Sequence, residues 1–193
     1  FNYTQPDRYP WLFSFACRIL PPTSRILSFG CSTGEELLAL HRYLPDAAIK
    51  GVDINPRNVA VARARTVAIQ SIGVACTGTL ADEGDASYDA IFCLAVLCHG
   101  RLTARASERS APLFCFEKFE NAIDDLARCL KPGGLLFLLT TNFRFCDTRA
   151  SCDFAVALSA RMENLAADLI YDRDNRLMPG MRYRDVVFRK KES

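Results

Sequence analysis

The sequence predicts an α/β domain of three layers, a doubly wound and mostly parallel sheet with helices on both faces. Three observations lead there. Short β-rich runs alternate with stretches of helical spacing along most of the chain. One run, Tyr88 to Leu97, is nearly continuously apolar, as a central strand covered on both faces must be. A Gly-rich turn from Gly30 to Gly34 joins the first run to the first helix, where sheets of this kind bind ligands.

The elements follow in order. Residues 1–22 are expected to form a helical segment ahead of the core. Arg25 to Phe29 (RILSF) is the first strand, and Gly34 to Leu44 has helical spacing with Leu37, Leu40, His41 and Leu44 on one face. Ser32 followed by Glu35 three residues on reads as a capping box. Ala47 to Ile54 is the second strand. Asn55-Pro56 then gives an N-cap and a proline in the first helical position, starting a helix that runs to about Gln70. Val74 to Thr79 is the third strand, Ala81 to Ser87 a polar turn, and Tyr88 to Leu97 the fourth strand. Gly100 to Ser110 (GRLTARASERS) is the most polar stretch and is expected to be a mobile loop. Phe116, Phe119, Ile123, Leu126 and Leu130 recur at three and four residues, marking a helix that packs on the sheet. Lys131-Pro132-Gly133-Gly134 ends it, and Leu135 to Thr140 is the next strand. Ser151 to Leu169 reads as strand or helix, and the alternation in Tyr183 to Arg189 predicts a last strand.

Length and composition bound the function. The chain has 193 residues, half of them hydrophobic, which is enough to bury a core as a single domain spanning 1–193. With 24 basic and 22 acidic residues the net charge is +2. That balance argues against a nucleic-acid partner held by bulk phosphate attraction. Apolar runs fall short of the ~20 residues a membrane span needs, so no membrane partner is expected. The nine cysteines form no C-x-x-C, and most lie in apolar runs such as Ile91-Phe92-Cys93-Leu94. They read as small core hydrophobes of a reducing, cytoplasmic protein, with no metal expected. No secretory leader pattern is evident, and the chain opens on Phe1 without Met, which leaves open whether residues precede it.

The first turn reads Ser28-Phe29-Gly30-Cys31-Ser32-Thr33-Gly34-Glu35-Glu36. Its glycines let the backbone approach a ligand, and the helix start offers unpaired N–H groups. The G-x-G-x-x-G of dinucleotide enzymes is missing, and two acids open the helix, a poor setting for a pyrophosphate. A ligand with a cationic end suits it better. Asp53 stands at the end of the second strand, 23 residues after Gly30, where a carboxylate can accept both hydroxyls of a ribose. Together the two loops describe an adenosine-type ligand without phosphates and with positive charge.

S-adenosylmethionine meets that description, and the chain resembles class I S-adenosylmethionine-dependent methyltransferases over nearly its whole length. GVDIN (Gly51 to Asn55) is similar to their acidic second-strand motif and LKPGGLLFL (Leu130 to Leu138) to their fifth-strand entry. GCSTGEE (Gly30 to Glu36) and YDAIFCLAVL (Tyr88 to Leu97) resemble segments of chemotaxis-receptor glutamate methyltransferases. The resemblance implies a Rossmann-like, seven-stranded sheet, with S-adenosylmethionine as cofactor and residues 23–140 as its binding core. It implies that Gly30, Cys31, Ser32 and Gly34 line the methionine part and that Glu35 lies near the amino group. Asp53 would hold the ribose, Ile54 would pack on the adenine, and Thr77 to Leu80, with Asp82, would border it. Cys93 and Leu94 would sit beneath the methionine portion.

The acceptor is open between a small molecule and a protein side chain. Cys93-Leu94-Ala95-Val96 stands where amino-methylating DNA and RNA enzymes show Asn/Asp-Pro-Pro-aromatic, which also disfavours nucleic acid. His99, just past the fourth strand, is the candidate general base, against the reading of a plain loop histidine. Tyr9 and Trp11, the loop Gly100 to Leu113 and the region Asn142 to Asp153 are expected to build the acceptor side. Phe114, Phe143 and Phe145 read equally as pocket wall or as core. Cys31 is not expected to act as a nucleophile, and His41 is expected to pack. Asp172-Arg173-Asp174-Asn175 reads as a hairpin turn, and Arg189-Lys190-Lys191 as a solvated end. The rival readings are a nucleotide-dependent oxidoreductase and a catalytically silent fold of the same type acting as a scaffold.

Overall fold

The architecture is that of a computed structural model, which describes residues 7–165 and 169–192. Seven strands form one sheet in the order β3-β2-β1-β4-β5-β7-β6. The strands are β1 (Arg25–Phe29), β2 (Ala48–Asp53), β3 (Ile72–Cys76), β4 (Tyr88–Leu94), β5 (Leu130–Leu139), β6 (Phe154–Ser159) and β7 (Asp185–Lys190). β1 to β5 run parallel, and β7 lies antiparallel between β5 and β6. The helices are α1 (Pro10–Ile19), α2 (Glu35–Tyr43), α3 (Pro56–Thr66), α4 (Gly100–Arg105) and α5 (Phe116–Cys129).

Strand pleating sorts the core into two layers. Ala90, Phe92, Leu94 of β4 and Leu135, Phe137, Leu139 of β5 pack with α1 and α2. Their neighbours Ile91, Cys93, Leu136 and Leu138 point the other way, into a cluster with Phe119, Ile123 and Leu126 of α5. Phe92 and Phe137 are register partners and stack at 4.1 Å. The predicted three-layer, doubly wound sheet is therefore observed. The chain builds outward from β1 to β3, then crosses back to β4 on the other side of β1, so the strand order reverses between β1 and β4.

Several local expectations need correcting. Gly34, in the left-handed region at φ 92°, is the N-cap of α2 with no side-chain cap, so the Ser32–Glu35 capping box does not form. Asn55 does cap α3, accepting from the Arg57 N–H at 3.0 Å. β4 ends at Leu94 because Ala95 turns at φ 58°. Lys131 to Gly134 does not separate helix from strand. β5 starts directly at Leu130, pairs with Tyr88, and resumes its register at Leu135, so these residues form an irregularity within the strand. The expected loop 100–110 begins with α4, anchored by the wholly buried Leu102. Ser151 to Leu169 yields β6 as far as it is described, and residues 166–168 lie outside the described residues, as do 1–6 of the N-terminal segment. β7 does not alternate, because Val186, Val187 and Phe188 are all buried in a strand covered on both faces.

Long-range hydrogen bonds brace the C-terminal half. Lys190 is not a solvated end: its Nζ donates to the Ala127 and Leu130 carbonyls at 2.7 and 2.9 Å, closing the end of α5. Arg189 and Lys191 likewise reach the carbonyls of Gly133 and Cys152. The hairpin turn at Asp172 forms, with its Oδ1 accepting from the Asp174 and Arg176 N–H groups. Residues 77–87 cross from β3 to β4 as a loop held by Arg128 of α5, which donates to the carbonyls of Leu80 and Glu83 and to Asp85. No disulfide joins cysteines among the described residues, where no helix is long and apolar enough to cross a membrane.

Candidate active site

A cavity of 1140 Å³ opens at the carboxyl ends of the strands, where the strand order reverses. Its wall combines the segment before α1, the loops after β1 to β4, and Thr140 at the end of β5. The volume exceeds the roughly 300–1,000 Å³ of a pocket for one drug-sized ligand.

The first loop owes its course to backbone geometry. Gly30 has φ 81°, and a Cβ placed there would lie 2.4 Å from Val96 Cγ2, so glycine is required on both counts. The N–H groups of Gly30 and Cys31 both donate to the Val52 carbonyl, at 2.8 and 2.9 Å. Asp53 ties the two loops together. Its Oδ2 accepts from the Ser32 N–H (2.9 Å), and its Oδ1 from the Asn55 N–H (2.8 Å) and Asn58 Nδ2 (3.3 Å). Three of roughly four acceptor positions of a carboxylate are thereby used, and a ribose hydroxyl has one left.

The two acids that open α2 have different surroundings. Glu35 pairs with Arg65 of α3 and accepts from Thr33 Oγ1 at 2.7 Å. Burial opposes its ionisation, but the hydrogen bonds from Thr33 and Arg65 outweigh burial and hold its carboxyl below the usual range. Glu36 accepts from Ser28 Oγ at 2.7 Å, and burial pushes its carboxyl up to about 7. Burial, with the charges of Asp53 and Glu36, pushes the Cys31 thiol up to about 12, which leaves it unreactive at neutral pH.

Of the predicted site residues, Gly30, Cys31, Ser32, Glu35, Asp53, Ile54 and Leu94 line the cavity, along with Thr77 and Gly78. Gly34 instead packs against Ala62 as the helix cap, and Cys93 is wholly buried below the floor. Asp82 is exposed away from it. His99 and Tyr9 belong to the wall, whereas Trp11, on α1, packs against the core. Phe143 and Phe145 are buried in the core on the α5 side, which settles them as packing. Glu36, the second of the two acids that open the helix, also lines the cavity, as do Arg8, Arg101 and Thr140, which carry no sequence signature of their own.

Buried side-chain polar atoms without a hydrogen-bond partner are concentrated here. Among the described residues they are Asp7 Oδ1, Tyr9 OH, Ser32 Oγ, His41 Nδ1 and His99 Nδ1, and all but His41 belong to the cavity wall. Tyr9 OH stands beside the Thr140 hydroxyl, and burial raises its pKa. The backbone N–H of His99 is fixed by Asn142 Oδ1 at 2.6 Å, which leaves the ring to the cavity. No group of three or more His, Cys, Asp or Glu able to hold a metal occurs among the described residues.

Comparison with known proteins agrees with this geometry. The profile of a family described as methyltransferase domain matches residues 27–138. Two curated relatives, demethylmenaquinone methyltransferases of Tropheryma whipplei strains Twist and TW08/27, are each 31% identical over 126 residues, covering 63% of this chain and 44% of theirs. The chain thus spans under half the length of these relatives. Among solved structures, coclaurine N-methyltransferase bound to N-methylheliamine and SAH superposes with TM-score 0.52 at 14% identity, over 72% of this chain and 38% of that one. The [4+2]-cyclase SpnF superposes with TM-score 0.51 at 23% identity, over 65% and 42%. At these identities the structural likenesses show the fold, which is the Rossmann-like fold of class I methyltransferases.

Proposed function

Since this chain belongs to the methyltransferase-domain family, we propose that it transfers a methyl group from S-adenosylmethionine to a small-molecule acceptor. One observation carries this reading. The unpartnered buried atoms of Asp7, Ser32 and His99, with the Tyr9 OH beside Thr140, share one cavity at the crossover of the sheet. Each such atom costs about 1–3 kcal/mol unless water or a ligand answers it. A cavity of 1140 Å³ supports two ligands rather than one. The exposed Arg8, Ile54 and Arg101 at its rim make it an open site, unlike the sealed pocket of a silent scaffold.

The residues present fit the cofactor. Gly30, Cys31 and Ser32 would receive its amino-acid part, Asp53 a ribose hydroxyl, and Ile54 with Thr77 and Gly78 its base. When bound, S-adenosylmethionine supplies a methyl group already activated by the sulfonium. The chain's own task is orientation: the β1 and β4 loops hold the reacting groups in line, and such positioning lowers a barrier by several kcal/mol. His99 Nδ1 would accept a proton or a hydrogen bond from an acceptor hydroxyl, and Tyr9 OH would donate one. The curated relatives are named for demethylmenaquinone, which makes its reduced form the first acceptor to try.

Calorimetric titration with S-adenosylmethionine, S-adenosylhomocysteine and NAD tests the cofactor. Both sulfur ligands are expected to bind the wild type and to be weakened at least tenfold by Asp53→Ala, with no heat from NAD. Tight NAD binding, or no binding of either sulfur ligand, overturns the reading. S-adenosylhomocysteine formation with demethylmenaquinol then tests the acceptor.

A further inference from the structure

Charge is unevenly placed around the cavity. Three of its four carboxylates, Glu35, Glu36 and Asp53, belong to the loops assigned above to the cofactor, and the fourth, Asp7, faces the Arg42 guanidinium at 4.0 Å. Of its two arginines, Arg8 belongs with these acids, since Glu36 feels its charge. Arg101 comes instead from α4, which carries two arginines and no acid. Arg101 and Arg105, one turn apart, are exposed and have no ion pair among the described residues.

Arg101 is also held in place. Leu102 beside it is wholly buried, and Gly100, Arg101 and Ala104 of the same helix line the cavity. Just beyond α4, the Ser107 and Glu108 carbonyls accept from Tyr171 OH and the Leu177 N–H, both at 2.8 Å. A cation on such a frame meets an anion without first giving up another partner, and the backbone that carries it has little freedom left to lose.

We propose that Arg101 holds an anionic group of the methyl acceptor, so that the acceptor is a hydroxy-carboxylic acid rather than a neutral or cationic molecule. The inference rests on the cofactor reading above and narrows its acceptor to one chemical class. Depth orders the two contacts. His99 Nδ1 is buried and without a partner, whereas Arg101 is exposed at the rim. The hydroxyl therefore goes inward to His99, and the acid stays outward at Arg101. Phe29, Leu94 and Val96 line the same cavity and suit an apolar frame between those ends. A guanidinium meets a carboxylate through two parallel N–H···O bonds, a match that a hydroxyl or an ammonium cannot give. Arg101 takes no part in the transfer of the methyl group; it selects and orients the acceptor. Because Arg101 is exposed, its pair with the acid is screened, and the preference for acids falls with added salt.

Three probes share one frame and differ in charge: 6-hydroxy-2-naphthoate, 2-naphthol and 6-aminomethyl-2-naphthol. Each is titrated by calorimetry, at neutral pH and low salt, into protein saturated with S-adenosylhomocysteine. Wild type is expected to bind the acid about fivefold more tightly than 2-naphthol, and the amine most weakly. Arg101→Gln is expected to erase the advantage of the acid, and Arg101→Glu to prefer the amine. Such a reversal is a result that a merely structural role of Arg101 does not produce. Affinity for S-adenosylhomocysteine is expected to stay as in wild type in both variants. Equal binding of the acid and 2-naphthol, no binding of any of the three, or an acid advantage that survives in Arg101→Gln overturns the proposal. So does a loss of S-adenosylhomocysteine affinity in Arg101→Gln as large as the loss for the acid, which assigns Arg101 to the cofactor. Turnover of demethylmenaquinol undiminished in Arg101→Gln also overturns it, since that acceptor carries no acid group. Failure of wild type to bind S-adenosylhomocysteine overturns the cofactor reading, and this inference with it.

Discussion

The loops after β1 and β4 begin alike and are held differently. Each leaves its strand through a residue in the left-handed region, Gly30 at φ 81° and Ala95 at φ 58°. The first loop is secured by the adjacent strand, its backbone N–H groups donating to the Val52 carbonyl and the Asp53 carboxylate roughly twenty residues on. The second depends on partners about twice as far along the chain. Ala95 N–H donates to Leu139, His99 N–H to Asn142 Oδ1, and Asn142 Nδ2 to Leu169. The two loops also interlock, since Val96 fills the space that Gly30 leaves empty. A glycine is thus obligatory in one loop because of a side chain in the other.

Four substitutions test this comparison, from the largest expected effect to the smallest. Gly30→Ala combines a strained φ with the Val96 clash and is expected to destabilise by about 3 kcal/mol in denaturant unfolding. A loss below about 1 kcal/mol would deny the interlock. Asn142→Ala leaves the His99 N–H and the Leu169 carbonyl without their partners and is expected to cost about 2 kcal/mol. Amide exchange at His99 should speed up in step. Adding Val96→Ala to Gly30→Ala is expected to recover about 1 kcal/mol relative to the sum of the single changes, measured as a double-mutant cycle. Ala95→Gly relieves a left-handed alanine but frees the unfolded chain, so a net gain of about 0.5 kcal/mol in thermal unfolding is expected.

The same contrast explains what could be read from the sequence. Asn55-Pro56, the run of β4 and the spacing of α5 are local signals, and each element starts where it was expected, while α3 and β4 end earlier, at Thr66 and Leu94. The glycines and Asp53 were legible because a short turn restricts residue type strongly. α4 was not, since six residues with one buried leucine give no period, and the position depends on packing of Leu102. Nor did the chain show how the two acids of α2 divide, Glu35 pairing with Arg65 and Glu36 with Ser28. That depends on the phase of the helix, set by Gly34 in the left-handed region rather than by a capping box at Ser32. Lys190 looked like a charged end because its partners, the last carbonyls of α5, lie about 60 residues away. The rest of the cavity wall is assembled from such distant pieces, Tyr9, His99 and Thr140, and so carries no compact motif.

The grip of Arg128 on the loop 77–87 has a consequence for motion. The far end of that loop returns to α5, with the N–H groups of Ala86 and Ser87 bound to the carbonyls of Arg128 and Cys129. Its near end, Thr77 and Gly78, forms part of the cavity wall. One residue of α5 therefore couples the mouth of the cavity to the opposite end of the sheet. A ligand that stills Thr77 and Gly78 should slow hydrogen exchange at Ala86 and Ser87, and Arg128→Met should confine that slowing to the mouth.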